Sequence, residues 1–418
     1  MCGGYGLRTG AFPGPIPNPE RALGQNKSYD EPIVDVLALN SPMHRILPLL
    51  LLALAPSACK NTGQWEGNAS ISGYGFDFTG ATATRQDSGP VPASLESIRV
   101  DHRFGDVEVL GVERGEATGW TWTVETWAAL PEEAEAWLDT IELLHEDAGT
   151  EQRWRLQMPP KPAKGLKGVR SRLVVRVPAR VSVTLENLAG ASRVTNVEGR
   201  VQGTTAGGEA EFSDLAGDLS AKHLSGNLNV RSVGNARLEV SRGQVQVQRV
   251  IGDLTLEASQ GGALILDIGG DVEITHDGGD VELLDAGSVL ARGTQGAWKL
   301  EGIRGQLDLD IQNGSVTTQL LPLDSQEADD AGDRLFLRAS GGPVTLHLPD
   351  RTSGQAECNK GNLDLWIYGK REPTLVATYR GELESELPVY AVLPGERRAL
   401  RLVVGKGDLR VRRGSDAP

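Results

Sequence analysis

The chain has 418 residues, a formal net charge of -14, 52 glycines and only 5% aromatic residues. The negative charge and the lack of a Lys/Arg cluster with interleaved aromatics argue against a nucleic-acid partner, because phosphate binding needs a basic surface. Abundant glycine with few large side chains favours an all-β protein of short strands separated by turns. The three cysteines, Cys2, Cys59 and Cys358, are too few for a disulfide framework.

The segment MHRILPLLLLALAPSAC, residues 43–59, is organised like a signal peptide. A short basic start at His44 and Arg45 precedes an apolar run, and small residues precede Cys59. The run is about half of the ~20 residues that a membrane-spanning helix needs. We therefore predict a cleaved signal peptide at 43–58 rather than a permanent transmembrane helix.

Residues 1–42 are rich in glycine and proline and show no hydrophobic period. They would place the apolar run far from the N-terminus, where the export machinery does not normally find it. We predict that translation begins at Met43 and that residues 1–42 are not translated in vivo.

The residues APSAC, which end at Cys59, resemble the lipobox of bacterial lipoproteins. In that family the cysteine is acylated and becomes the mature N-terminus. Pro56 departs from the pattern, which usually has an aliphatic residue there. The resemblance implies lipidation at Cys59, the membrane as a partner, and a cell-envelope protein in the outer membrane or on the cell surface. An ordinary signal peptide, which gives a periplasmic or secreted protein, is the alternative.

Residues 59–94 are polar and lack a sustained hydrophobic period, which predicts a flexible tether. Alternating runs begin near Leu95 and predict strands through a capping region at 95–190. One helix is predicted from Pro131, because apolar residues recur at helical spacing as far as Leu144 and Gly149 follows.

Five tryptophans lie in this capping region and allow two interpretations. They could form a stacking platform for sugars, or they could fill a core that seals one end of a repeat structure. We favour the core. The residues are Trp120, Trp122, Trp127, Trp137 and Trp154.

A regular series of glycines dominates residues 191–413, with a spacing of nine and two spacings of eight between Gly199 and Gly314. The second residue after each of these glycines is apolar without exception, and the fourth is mostly apolar. A glycine turn followed by alternating residues is one short strand with a buried inner face. Each nine-residue unit is therefore predicted to be one arm of a repeating coil.

Alternate arms differ two residues before the glycine. Val250, Ile268 and Ile303 are apolar there, while the intervening arms carry polar residues such as Ser259 and Asp277. Two arms therefore make one coil of about 18 residues, which predicts an all-β parallel β-solenoid, or β-helix, preceded by a small β segment that carries one helix. The solenoid is predicted to end near Arg413, followed by a tail at 414–418.

Several segments resemble the adhesin-like β-solenoid domain of bacterial envelope proteins known as the DUF4097 type, also described as auto-transporter adhesin or head-GIN-like. They are VDHRFGDVEV near residue 100, RLVVRVPARVSVTLENLAGASRV from Arg172, the glycine series, and the closing LVVGKGDLRVRR. The resemblance covers about Leu95 to Arg413. It implies a parallel β-solenoid in the envelope and supplies no catalytic residues.

The sequence contains no pattern that favours catalysis, a cofactor or a metal site. The repeats GGDVEITHD and GGDVELLDA are similar to a calcium-binding nonapeptide but lack its ligand aspartates, so Asp271 and Asp280 are interpreted as turn residues. Asp308 and Asp310 share one face of a strand and are interpreted as solvated outward residues. The histidines show no metal-ligand spacing and are interpreted as solvated.

These patterns lead to one preferred function and two alternatives. The preferred one is a lipid-anchored, non-enzymatic binding, adhesion or scaffolding module that meets an unknown envelope or cell-surface partner. The first alternative is a structural solenoid that assembles end to end, which the Trp-rich start and the charged end VRRGSDAP disfavour if both are caps. The second, ranked last, is a polysaccharide-active enzyme.

Overall fold

The computed structural model describes residues 77–159, 165–323, 333–392 and 398–414. All of them belong to one compact unit, Gly63–Pro418. The predicted start at Met43, the signal peptide at 43–58 and the lipidation site Cys59 lie outside the described residues. Within the described ranges, no helix is long and apolar enough to cross a membrane.

The described residues form 32 strands and one helix. The first group is β1 (Ala81–Pro90), β2 (Ser97–Asp101), β3 (Asp106–Val112), β4 (Gly119–Ala128), α1 (Pro131–Leu138), β5 (Glu142–Asp147), β6 (Glu151–Gln157) and β7 (Leu166–Pro178). The middle group begins with β8 (Ser182–Asn187), β9 (Ser192–Thr195), β10 (Val201–Thr205), β11 (Ala210–Leu215), β12 (Leu219–His223), β13 (Leu228–Val233), β14 (Ala236–Val240), β15 (Val245–Val250), β16 (Leu254–Ala258) and β17 (Ala263–Ile268). It continues with β18 (Val272–His276), β19 (Val281–Ala286), β20 (Val289–Gln295), β21 (Trp298–Ile303), β22 (Leu307–Asn313), β23 (Val316–Leu320), β24 (Leu335–Ala339), β25 (Val344–Pro349), β26 (Gly354–Lys360) and β27 (Leu363–Tyr368). The last group is β28 (Leu375–Tyr379), β29 (Leu383–Ser385), β30 (Val389–Tyr390), β31 (Leu400–Lys406) and β32 (Leu409–Gly414).

The strands form two 16-stranded sheets, and from β8 to β27 the chain alternates between them. Sheet A contains the odd-numbered strands of this stretch, and sheet B contains the even-numbered ones. Within this stretch, neighbouring strands of each sheet are parallel and one coil apart, as in Val201 opposite Leu219, 18 residues later. Leu219 lies opposite Ala236, which is 17 residues later. The predicted parallel β-solenoid with two-arm coils of about 18 residues is confirmed.

The regular glycines fall into two columns with different backbones. The column before the sheet A strands has positive φ from Gly208 to Gly296, for example 128° at Gly243, 115° at Gly261 and 115° at Gly279. A Cβ on Gly261 would overlap the carbonyl oxygen of Gly243 one coil below. The column before the sheet B strands, which includes Gly252, does not have positive φ. The two arms therefore turn differently, in agreement with their different sequences.

The core between the sheets is built from the inward positions of every arm. Its aromatics fit where an opposing strand has a glycine, because a Cβ on Gly203 would overlap the ring of Phe212. Gly293 makes the same room for Trp298, which is fully buried. Cys358 is free and buried, and burial raises the pKa of its thiol.

The N-terminal end is threaded in a different order from the middle. The coil formed by β2 and β3 lies between two later coils, because β2 pairs with β6 and β8 while β3 pairs with β7 and β9. Antiparallel strands β1 and β4 extend sheet A beyond β7, and antiparallel β5 forms the edge of sheet B. The predicted capping region at 95–190 thus contributes solenoid coils of its own.

Two boundary predictions in this region are wrong. The helix ends at Leu138 instead of continuing past Leu144, because Glu142–Asp147 pairs with β6 as an edge strand. The C-terminal part of the predicted tether at 59–94 is strand β1, whose ten residues pair with β4. Its polar alternation is that of a solvated edge strand, which composition alone does not distinguish from a linker.

The C-terminal end repeats the inserted order. Strand β31 pairs with β26 on one side and β28 on the other, and β32 pairs with β27 and β29. The last described strands therefore lie inside the sheets, and the earlier strands β28–β30 form the outer coil. The prediction that the charged sequence VRRG acts as a cap is wrong for its described residues, since Val411–Gly414 belong to β32.

Candidate binding surface

A groove runs along the outside of sheet B, beside the turns that precede its strands. Its two adjoining parts have volumes of about 420 and 470 Å³ and share Asp253 and Thr255. One part extends to Arg200 and the other to Asp308, so the groove spans several successive coils. We call it the sheet B groove. Its polar lining is Arg200, Gln202, Asp218, Ser220, Asn235, Arg237, Asp253, Thr255, Asp271, Glu273, Ser288, Gln306 and Asp308.

The wall of the groove is a ladder of short polar side chains, one from each coil. The amide of Asp253 donates to Oδ1 of Asn235 at 2.9 Å, and the amide of Asp271 donates to Oδ1 of Asp253 at 2.9 Å. The amide of Ser288 continues the ladder by donating to Oδ1 of Asp271 at 2.7 Å. Each bond fixes a side chain and leaves the second carboxylate oxygen of Asp253 and Asp271 outside the ladder bonds. The groove is therefore lined by preoriented polar groups.

The two halves of the groove differ in charge. The half toward the N-terminus has Arg200, which lies 3.7 Å from Asp218, and Arg237, which lies 3.3 Å from Glu257 outside the groove. The other half is lined by four carboxylates and by no lysine or arginine. This arrangement offers hydrogen-bond acceptors along its whole length and a cation preference toward one end.

The carboxylates considered for other chemistry have structural or solvated positions. Asp271 supports the ladder, and Oδ1 of Asp280 accepts the amide of Ala297 at 2.8 Å, which are the turn roles predicted for both. Asp308 and Asp310 occupy the outward positions of β22. Among the described residues, no group of three or more His, Cys, Asp or Glu side chains could hold a metal ion.

A second feature is a half-buried aromatic column on the outer face of sheet A. The rings of His347 and Trp366 are nearly parallel with centroids 6.3 Å apart, and Arg412 lies 5.2 Å from the centroid of Trp366. The hydroxyl of Tyr368 lies 2.9 Å from Nδ1 of His347. Because Arg412 and His347 both lie against Trp366, its ring is engaged in stacking along the sheet. The column therefore contributes to stability more than to ligand binding.

The tryptophans of the capping region lie mostly in the core. Trp122 and Trp154 are fully buried, and Trp137 of α1 is nearly so. Trp120 and Trp127 are half-buried, and Trp127 packs edge-on against Phe78 at 4.8 Å. The structure agrees with the interpretation that these residues fill the core at this end.

The interpretation of the histidines as solvated is wrong for three of them. His102, His223 and His276 are buried at the inner corner where sheet B strands end. Burial lowers the pKa of His102 to about 3 and also lowers the pKa values of His223 and His276. All three lie three residues before a glycine with positive φ, namely Gly105, Gly226 and Gly279. That spacing is the sequence signal that marks them.

The sheet B groove was not identified from the sequence. Its signal is the polar residue that recurs before every second arm at intervals of 17 or 18, as in Asp218, Asn235, Asp253, Asp271 and Ser288. The apolar and polar alternation before each glycine does not reveal the groove, because the groove residue follows the glycine.

No protein-family model matches the chain, and no curated protein matches it. Among solved structures, it is similar to a candidate adhesin from Parabacteroides merdae, with a TM-score of 0.28, 10% identity, and coverage of 79% of this chain and 96% of that one. A candidate adhesin from Parabacteroides distasonis gives a TM-score of 0.24 at 10% identity, covering 79% and 97%. A candidate lipid-binding protein from the same species gives 0.24 at 8% identity, also covering 79% and 97%. At these low scores, the function proposed below rests on the residues of this chain.

Proposed function

We propose that the chain is an envelope-tethered binding or adhesion module that meets a cell-wall, matrix or protein partner through the sheet B groove. The observation that carries this proposal is the groove itself, which presents polar side chains from successive coils in fixed positions. A repeated, preoriented row of groups suits an extended partner, because each coil contributes a small contact and little ordering entropy is lost on binding.

The binding test compares two double variants with the same change in net charge. Glu273→Gln with Asp308→Asn alters the groove, while Glu282→Gln with Asp364→Asn alters outward residues of sheet A. Labelled proteins are titrated onto intact bacterial cells, isolated cell-wall sacculi and immobilised matrix protein. We expect the groove pair to weaken binding at least tenfold, since several hydrogen bonds are lost, and the sheet A pair to bind like the parent. Equal weakening by both pairs would assign binding to net charge instead of the groove.

Membrane tethering through Cys59 belongs to the same proposal and is supported by the signal-peptide and lipobox pattern of residues 43–59. The chain from Met43 is expressed in a Gram-negative host with and without globomycin, alongside Cys59→Ala. Accumulation of unprocessed precursor with globomycin, together with loss of the membrane fraction in the variant, is the expected result. Release of both forms into the soluble fraction would contradict the anchor and leave the groove experiment unaffected.

We propose that the groove binds without catalysis. Asp308 and Asp310 are outward residues of a flat strand, and Asp271 has one oxygen committed to the ladder. Hydrolysis of a polysaccharide panel that disappears with a single carboxylate substitution would overturn this part of the proposal.

End-to-end assembly remains a second candidate because the outer C-terminal coil exposes apolar side chains. Leu383, Tyr390 and Val392 are 37%, 44% and 79% exposed, and β29 and β30 are edge strands. Edge strands with exposed apolar groups favour pairing with another chain. Analytical ultracentrifugation that shows a monomer at all concentrations would exclude this function, whereas growth into long species would favour it.

A further inference from the structure

A column of buried polar side chains lies inside the N-terminal coils. His102, Asn187, Thr205 and His223 occupy the same inner corner in four successive coils, since β2, β8, β10 and β12 are neighbours in sheet B. All four are buried. The next two coils have Val240 and Ala258 at this corner, which separates these four residues from the buried His276 in the coil that follows.

His102 joins three elements at this corner. It follows β2, in the turn of the inserted coil, and its Nε2 lies 3.0 Å from Oγ of Ser171 in β7. The same hydroxyl accepts the indole N–H of Trp122 in β4 at 2.8 Å. Asn187 closes the corner by donating to the carbonyl of Gly105 at 3.0 Å. The contacts of one neutral imidazole therefore link the inserted coil to the strands that cover it.

A charged imidazole would have no counterion here. Within the described residues, the ring forms no hydrogen bond or ion pair with an acidic or basic side chain of β4, β7 or β8. Asp101 forms its ion pairs with Arg99 and Arg153, and Oδ1 of Asp106 accepts the amide of Ala191 at 3.2 Å. Burial lowers the pKa of His102 more than an interaction with the backbone of Gly105 raises it. Oδ1 of Asn187 has no hydrogen-bond partner, so the corner already contains an unsatisfied polar atom. A buried cation at this corner would be strongly destabilising.

We propose that the turn around His102 is an acid-sensitive lock, in which protonation of this side chain releases the inserted coil β2–β3 while the histidine-free coils of β22–β24 stay folded. Local opening is expected because each coil of a solenoid contacts only its neighbours, so stability is a sum of nearest-neighbour contributions. This regulation goes beyond the proposed binding function and does not depend on it, since the sheet B groove begins at Arg200.

Hydrogen exchange measured by mass spectrometry at pH 7.5 and 5.0, corrected for intrinsic exchange rates, tests the lock on the wild-type protein. With an ordinary value of 6.5 and a folded value of about 3 for His102, the opening constant of β2–β3 should rise about thirtyfold between the two conditions. Amides in β22–β24, a stretch without histidine, should keep their protection. A uniform loss of protection along the chain would overturn the proposal.

Two variants assign the effect to the histidine. His102→Gln removes the titrating group, and we expect opening of β2–β3 to change less than twofold with pH. His145→Gln removes an exposed histidine at the same end, and the thirtyfold rise should remain. If His102→Gln fails to fold, the wild-type comparison of β2–β3 with the histidine-free β22–β24 still decides the matter. A persistent rise in folded His102→Gln would also overturn the proposal.

Discussion

The two ends of the solenoid share one device and differ in another. At each end a coil is inserted between two others, β2–β3 at one end and β31–β32 at the other. At the N-terminal end α1 and the antiparallel strands also cover the core, and Trp137 and Ile141 are buried there. The outer C-terminal coil leaves Leu383 and Tyr390 exposed. The two devices are thus separable. Insertion of a coil determines which strands are neighbours, and the covering elements shield apolar surface from solvent.

The largest expected difference between the ends concerns their aromatic residues. Trp154→Ala should lower the free energy of unfolding by about 3–5 kcal/mol, because a fully buried indole leaves a cavity in the covered end. Tyr390→Ala removes a side chain that is 44% exposed and should cost less than about 1 kcal/mol. Urea unfolding followed by fluorescence and circular dichroism measures both. Equal losses would show that the two ends are covered alike.

The next largest effect concerns the inserted coils, and it tests whether insertion contributes equally to stability at both ends. Gly105 in the first inserted coil has φ 116°, and a Cβ there would overlap the carbonyl oxygen of Ser171. Gly407 in the other inserted coil has φ 140° and would overlap the carbonyl oxygen of Gly361. Substitution of either by alanine should cost about 3 kcal/mol, through strain and separation of the coils. Thermal and urea unfolding of both variants measure the losses.

Gly115→Ala is the matched control for this pair. Its φ of 104° is also positive, but a Cβ there meets nothing within 4 Å. Its cost should be only the backbone strain of about 1 kcal/mol. If Gly105→Ala proved no worse than Gly115→Ala, the close approach of the inserted coil to β7 would contribute nothing to stability.

The smallest expected change in the free energy of unfolding concerns one ion pair near each end. Asp101 has a side-chain exposure of 7%, and Nε of Arg153 donates to its Oδ2 at 3.1 Å. Burial opposes its charge, but the hydrogen bonds from Arg153 and Arg99 outweigh burial and lower the pKa of Asp101. Asp101→Asn should therefore cost about 1–2 kcal/mol at pH 7. Glu384→Gln should change stability by less than about 0.5 kcal/mol, since Glu384 is 70% exposed beside Arg410.

The pH dependence provides the check on this last comparison. Because the folded pKa of Asp101 is lowered, its contribution is complete above the ordinary value of 3.8 and is lost as pH falls below that value. The difference between wild type and Asp101→Asn, measured by urea unfolding, should shrink between pH 5 and pH 3. A difference independent of pH would mean that Asp101 acts through packing alone.

The repeat was predictable from sequence because it is local. Each arm needs one turn glycine and an inward residue such as Val245 or Leu254, so the pattern is visible within nine residues. The inserted order was not predictable in the same way. It depends on which of several distant strands pairs with β2 or β26. The alternation of valine and leucine determines which face of a strand is buried, but it does not determine which parallel strand lies beside it.

The candidate site also has a part that local sequence predicts and a part that depends on distant contacts. The ladder of the sheet B groove has a local spacing that could be found, as in Asp253 and Asp271, but its groove shape comes from stacking of the coils. The burial of His102 depends on contacts between residues that are far apart in the sequence. Ser171 lies 69 residues after His102, and Trp122 lies 49 residues before Ser171. Local sequence patterns therefore predict turns and buried faces but not a contact made across the inserted coil.

The inserted position of β31–β32 also determines when the molecule can finish folding. During synthesis or export, β26–β27 and the outer coil β28–β29 emerge before the strands that must lie between them. Until Leu400–Lys406 and Leu409–Gly414 arrive, β26 and β28 lack their shared partner. Folding is therefore completed when β31 and β32 insert between strands that were made earlier. This step forms contacts between residues distant in the sequence, and such contacts form slowly. Chains interrupted before Leu400 would leave the facing edges of β26 and β28 unpaired.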